Sequence, residues 1–353
     1  MIFDCAILRR GSARLRSAMA GGISGSKISC LLAGYMLAGS MLAGCRSGSA
    51  TADAAGDADS LPADIPAAVE AFSADSAFSY VKRQTDFGPR VPNPDAHRRA
   101  GDWIAATLRR HGAEVTEIPF EVTAFDGTRL RARNIFAQYR PEAKERLLLL
   151  AHWDCRPWAD EDPDPAKRRL PVDGANDGAS GVGVILELAR QLKATPPAAG
   201  VDILFVDAED WGSSDDEDSW ALGARHFAQN PPIAGYAPKE AILLDMVGGK
   251  EPLFCREYFS QQAAPALMDA LWKAAAQLGY GDIFSDRAGS AVNDDHLQLI
   301  QSGIPAVDII EYHPESGFCP TWHTADDTID NISPKTLEAV GKTVVAYIWR
   351  QRQ

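Results

Sequence analysis

Apolar residues run almost unbroken through the first half of VDILFVDAEDWG (201–212) and stop at Asp207, Glu209 and Asp210. A continuous apolar run of this length predicts a strand buried on both faces. The same pattern appears in RLLLLAHWD (146–154), AILLDMVG (241–248) and AVDIIEY (306–312), with strand-like segments ahead of them at 114–122 and 133–140. Between these strands, helical spacing predicts helices at 180–194, 219–229, 264–279, 295–303 and 334–351. Residues 64–112 are also helical in pattern, with stops at Gly88 and Gly112 and a second helix opening at Asp95 after the extended RVPNP. Buried strands alternating with helices predict an α/β fold: a mostly parallel mixed sheet sandwiched by helices, in one domain spanning 64–353.

The first 63 residues depart from this pattern. Residues 1–44 hold Arg9, Arg10, Arg14, Arg16 and Lys27 against the single acid Asp4, and an apolar run fills 28–45. Basic residues, then an apolar segment, then small residues predict a secretory signal. Leu42-Ala43-Gly44-Cys45 resembles the lipobox of bacterial lipoproteins, which implies a signal peptide over 1–44 and lipidation of Cys45. Residues 45–63 are small and polar and read as a flexible tether. The expected location is the cell envelope, lipid-anchored or periplasmic. The net charge is −13, and with +4 in the signal segment the rest of the chain carries −17. That balance excludes nucleic acid as a partner and limits membrane contact to the lipid anchor. Beyond the signal and Cys45 there remain Cys155, Cys255 and Cys319, enough for one disulfide at most. Nothing in the chain specifies an oligomeric state.

In open α/β sheets ligands bind beyond the carboxyl ends of the strands. Those ends carry His152 and Asp154, then Glu209 and Asp210, then Asp245. Asp177 lies in the loop DGANDGASG before a helix, and His323 follows the last strand. Two histidines with several carboxylates form a ligand set suited to zinc. Ionised carboxylates are costly to crowd where water is excluded, and a divalent cation supplies the missing counter-charge. Neighbours on an extended segment point to opposite sides, so Asp210 and Glu209 can take different tasks. Taken singly, His152 also fits a hydrogen-bonded structural role, and Asp177 a helix cap or turn.

Six motifs occur in a definite order: AHWDCRPWAD, DGANDGASGVG, FVDAEDWG, LLDMVGG, NDDHLQL and PTWHTADDT. In this order the chain resembles the zinc aminopeptidase-like hydrolases over 64–353, and within them the bacterial form of glutaminyl cyclase. The resemblance implies one zinc ion per chain, held by Asp177, Asp210 and His323. It makes Glu209 the proton-transfer residue, Asp245 and Asp294 acids around it, and Trp322 a wall beside the substrate side chain. The implied substrates are peptides or proteins with an N-terminal glutamine, converted to pyroglutamate with release of ammonia. His152, Asp295 and His296 are candidates for a second metal or for contacts behind the site. A further substrate-facing tryptophan of the animal cyclases falls by spacing at Asp215, leaving Trp211 or Trp220 as substitutes.

Two other readings stand beside this one. A two-zinc aminopeptidase would use His152, Asp177, Asp210, Asp245 and His323 together, with Asp177 bridging. A metal-stabilised binding lipoprotein would make Glu209 dispensable. The paired acids Asp294-Asp295 and Trp322 before His323 favour the cyclase. ADEDPDPAKRR (159–169) and DDED (215–218) read as solvated segments, the former at the cleft rim. His97, His111, His226 and His313 are assigned no chemistry.

Overall fold

The computed structural model describes residues 65–350. The signal segment 1–44, Cys45 and the tether 45–63 therefore lie outside the described residues. Three helices lead in: α1 (Ile65–Glu70), α2 (Ala74–Thr85) and α3 (Asp95–Arg110). The helical stretch expected before Gly88 breaks at Ser73, whose side chain caps α2 by accepting from the Ser76 N–H.

Strands and helices then alternate much as the apolar pattern predicts. The order is β1 (Glu114–Thr123), β2 (Arg129–Tyr139), β3 (Arg146–His152), α4 (Ala179–Ala194), β4 (Gly200–Val206), α5 (Leu222–Gln229) and β5 (Glu240–Asp245). An excursion follows: β6 (Phe254–Arg256), α6 (Tyr258–Ala263), α7 (Pro265–Gln277) and β7 (Phe284–Ala288). The chain returns through α8 (Asp295–Gln301) to β8 (Ala306–Ile310), the small hairpin β9 (Tyr312–His313) and β10 (Gly317–Phe318), and α9 (Pro334–Arg350).

The main sheet has the order β1-β2-β4-β3-β5-β8. Its last four strands are parallel, and β2 pairs antiparallel with both β1 and β4. Side chains alternate between two cores. Leu147, Leu149, Ile203, Phe205, Ile242, Leu244 and Val307 face one layer with residues of α2, α4 and α9. Leu148, Leu150, Leu204, Val206 and Leu243 face the other, against Phe227 of α5 and Leu299 of α8. Burying both faces explains why these strands read as continuous apolar runs rather than alternating ones. The start of α4 lies so close to the sheet that a Cβ at Gly181 would sit 2.0 Å from the Leu244 carbonyl oxygen.

Cys155, Cys255 and Cys319 are buried free thiols. Among the described residues no helix is long and apolar enough to cross a membrane.

Candidate metal centre and active site

The carboxyl ends of β3, β4 and β5 open onto one edge of the sheet, and the three acids that end the 201–212 run separate there. Asp207 turns away from the edge: its carboxylate takes the His97 Nε2 contact at 2.8 Å and accepts from the Arg133 and Ala208 N–H groups. His97 in turn stacks on Trp153 at 4.2 Å. Asp207 is thus a structural acid with its own partner. Glu209 and Asp210 go the other way and line a cavity of about 510 Å³.

Asp154 holds that pair in place. Its two carboxylate oxygens accept the backbone N–H groups of Glu209 (3.2 Å) and Asp210 (3.3 Å). Asp327 does the same for the loop before α4, accepting from Asn176 (2.7 Å) and Asp177 (3.1 Å). Arg90, fully buried, donates to the carbonyls of Trp153, Asp173 and Gly174, fixing the other end of that loop. Gly178 adopts φ +92°, and a Cβ there would lie 2.5 Å from the Asp154 carbonyl oxygen. Only glycine fits both the conformation and the space.

These loops bring Asp177, Asp210 and His323 together, with one ligand atom from each lying within 4.8 Å of the others. His323 Nε2 is 3.1 Å from Asp210 Oδ1 and 3.6 Å from Asp177 Oδ2. Its other nitrogen lies 3.6 Å from Asp160 Oδ1, the arrangement that aims Nε2 at a metal. Asp210 is 1% exposed, and neither of its carboxylate oxygens receives a hydrogen bond. The nearest fixed cation, Arg156, approaches Asp210 Oδ1 only to 3.7 Å and spends its hydrogen bonds on the carbonyls of Asp210 and Gly212 and on Asp160. Two carboxylates and an imidazole converging without a donor between them fit a divalent cation of the zinc type.

A second set shares one member. His152 Nε2 lies 3.0 Å from Asp177 Oδ1 and 3.1 Å from Asp245 Oδ1. Asp177 therefore straddles two groups, one oxygen facing each histidine, and the ligand atoms of His152, Asp177 and Asp245 also lie within 4.8 Å.

Burial governs proton affinity throughout the site. It pushes Asp210 up to about 6 and Asp245 up to about 7, in each case with the charge of Asp177 adding to the effect. Glu209 is raised well above the ordinary range by burial, to which the charges of Asp210, Asp294 and Asp295 add and which His152 opposes. For Asp177 burial also pushes upward, but the hydrogen bond and charge of His152 outweigh it and leave the group below its usual value. Glu209 thus has a raised proton affinity, while its neighbour Asp177 has a lowered one.

Aromatic rings shape the cavity. Trp322 stacks on His323 at 3.8 Å and meets Phe318 at 4.6 Å. Trp220 lies opposite, near-parallel to His323 at 6.0 Å, with the Arg156 guanidinium over its ring at 4.8 Å. Trp211 does not reach the cavity: it packs on Trp158 at 5.7 Å and donates to Asp126. Of the two tryptophans left open by spacing, Trp220 lines the cavity.

The paired acids also divide. Asp294 lines the cavity and caps α8, whereas Asp295 is completely buried behind it. His296 faces Glu257 (3.2 Å) and Asp308 (3.7 Å) rather than the cavity. Sequence reasoning gave no role to Arg90, Arg156, Asp160, Asp308 or Asp327. Arg156, Asp160 and Asp327 stood in quoted motifs, but Asp160 pairs with Arg156 four positions away and faces His323 across the fold, and Asp327 accepts from backbone N–H groups distant in sequence. Asp308 stood in view as the one charge inside the apolar run 306–310.

The sequence model of Peptidase family M28 matches residues 134–348. A Porphyromonas gingivalis glutaminyl cyclase structure is 50% identical with a TM-score of 0.78, over 79% of this chain and 99% of that one. A Bacteroides thetaiotaomicron structure described as a leucine aminopeptidase precursor is 46% identical with a TM-score of 0.77, over 80% and 98%. The glutaminyl-peptide cyclotransferase of Bos taurus is 25% identical over 248 residues, 61% of this chain and 65% of that protein. The match thus spans just under two thirds of that curated relative. The chain belongs to peptidase family M28, and its fold and sequence are similar to those of the bacterial glutaminyl cyclases.

Proposed function

We propose that the protein is a zinc-dependent glutaminyl-peptide cyclotransferase that converts N-terminal glutamine to pyroglutamate and releases ammonia. The observation that carries this reading is the split between neighbours: Asp210 joins the ligand group, while Glu209 lines the cavity with a raised proton affinity and stands outside it.

Asp177, Asp210 and His323 would hold the zinc. When bound, zinc supplies a Lewis acid for the side-chain amide of the glutamine. Glu209 accepts a proton from the α-amine as that nitrogen forms its bond to the side-chain carbonyl carbon. It then returns the proton to the amide nitrogen as the old C–N bond breaks and ammonia leaves. The charges of Asp210, Asp294 and Asp295 add to burial in keeping the proton affinity of Glu209 high. Trp322 and Trp220 flank the glutamine side chain and narrow the cavity against water. His152 serves as the hydrogen-bonding neighbour of Asp177 and Asp245.

Incubation with a Gln-initiated dipeptide and with a Leu-initiated amide tests the reading. Ammonia released without chain cleavage is the expected result, and release of the first residue would overturn it. The second cluster, His152-Asp177-Asp245, favours a two-zinc aminopeptidase instead. Elemental analysis after mild dialysis separates the two. One equivalent of zinc, retained in His152→Ala, supports the cyclase; two equivalents, with one lost in His152→Ala together with all activity, support the peptidase. The same proposal places the enzyme in the cell envelope through a lipid on Cys45, which the mass of the N-terminal peptide from a membrane fraction checks.

A further inference from the structure

The mouth of the cavity carries charge for which the cyclisation has no use. Residues 213–218 read SSDDED and run into a single turn of 3-10 helix at Glu217–Ser219. Ser214, Glu217 and Asp218 line the cavity, and Asp215 and Asp216 stand exposed beside them. The segment is held in position. Asn293 Nδ2 donates to both the Glu217 carbonyl (2.8 Å) and its Oε2 (3.0 Å), tying it to the loop that carries Asp294. Trp220 Nε1 donates back to the Ser213 carbonyl at 3.1 Å.

Among the described residues Asp215, Asp216 and Glu217 have no ion-pair partner, and Asp218 has Arg225 at 3.8 Å. The cavity lining includes Glu217, Asp218, Glu209 and Asp294 beside the ligand acids, and no lysine or arginine. Inside, Asp294 is 4% exposed and its Oδ2 receives no hydrogen bond. A dication would offset the charges of Asp177 and Asp210, and of the remaining acids in the lining Glu217 and Asp218 are the exposed ones at the rim of the mouth. A peptide whose first residue fills the cavity must leave past this rim, and its second residue meets it first.

We propose that the 215–218 rim selects peptides with lysine or arginine directly after the N-terminal glutamine and disfavours those with an acidic second residue. The proposal rests on the cyclase reading. Exposed charges within a Debye length of about 8 Å act on each other and are screened beyond it. The preference therefore has a salt signature that shape or apolar contact lacks.

The test compares kcat/KM for Gln-Lys, Gln-Ala and Gln-Glu peptides at low salt and in 0.5 M sodium chloride, a concentration chosen to shorten the roughly 10 Å screening length found near 0.1 M. Gln-Lys should exceed Gln-Glu by about tenfold at low salt, with Gln-Ala between, and the ratio should shrink severalfold at high salt. In the triple variant Asp215→Asn, Asp216→Asn, Glu217→Gln the Lys/Glu ratio should fall towards one. A ratio at or below one in the wild type, or a ratio indifferent to salt, overturns the proposal while leaving the cyclase reading intact. Failure to cyclise any of the three peptides overturns both.

Discussion

Replacing Glu209 by Gln keeps the side-chain shape and removes the proton acceptor. Loss of a positioned acid–base group costs roughly 10²–10⁴ in turnover, or about 3–5.5 kcal/mol in the barrier. The metal should stay, because Glu209 is outside the group formed by Asp177, Asp210 and His323. Stability should move in the opposite direction from activity. Glu209 is 8% exposed and sits near Asp210, Asp294 and Asp295, whose charges add to its burial and raise its affinity for a proton. A carboxyl whose folded-state pKa exceeds its unfolded value of about 4.3 destabilises the folded chain as pH rises above that value. The metal-free Glu209→Gln protein should therefore melt above the metal-free wild type at pH 7, with the difference vanishing below about pH 4. Three measurements on one variant check this: initial rates of ammonia release, zinc by elemental analysis, and melting at pH 4 and 7. Loss of the metal would show that the roles of Glu209 and Asp210 are reversed. Activity within tenfold of wild type would remove Glu209 from the chemistry altogether.

Asp327→Asn leaves one acceptor oxygen for two buried N–H groups, those of Asn176 and Asp177. An unsatisfied buried donor costs about 1–3 kcal/mol. A melting temperature a few degrees lower, together with weaker zinc retention against a chelator, is expected; unchanged zinc retention would show that the clamp does not aim Asp177. Trp220→Ala should raise KM with zinc content intact, whereas Trp211→Ala should lower stability by about 3 kcal/mol with KM unchanged, since only Trp220 lines the cavity. Steady-state kinetics with denaturant melts on both variants separate the two outcomes, and an exchange of these effects would reassign the cavity wall.

The sheet was legible because its four parallel strands are buried on both faces, which writes them as unbroken apolar runs such as LLLLA in β3. What escaped the pattern is short or paired across distance. β6 has three residues and β9 and β10 two each, below the length at which periodicity carries information, while the five-residue β7 (FSDRA) is mostly exposed and so lacks an apolar run. The grouping of Asp177, Asp210 and His323 was legible through motif order, with Asp210 just beyond the end of β4 and the other two on loops. The supports were not. Arg90 acts on carbonyls 63, 83 and 84 positions away, and Asp327 on N–H groups 150 and 151 positions away. Asp207 shows the converse: it belongs to the same acidic run as Asp210, yet the fold gives it to His97.

Three non-glycine residues at the site have left-handed backbones: Ala208 (φ 55°) before Glu209, Met246 (φ 47°) after Asp245, and His323 itself (φ 52°). Each such residue carries roughly 1–2 kcal/mol of conformational strain that the rest of the fold must hold in place. This strain is incurred when the chain folds, not when a ligand arrives. The catalytic edge is therefore a region where the scaffold's rigidity has been spent in advance, and laboratory selection for thermostability alone should find easy gains there. Glycine at 208 would relax the backbone locally and so firm up the fold, at the expense of how sharply Glu209 is aimed, whereas Met246 is buried and the loss of its side chain would outweigh the strain relieved. In such a lineage heat resistance and turnover would drift apart at position 208 first.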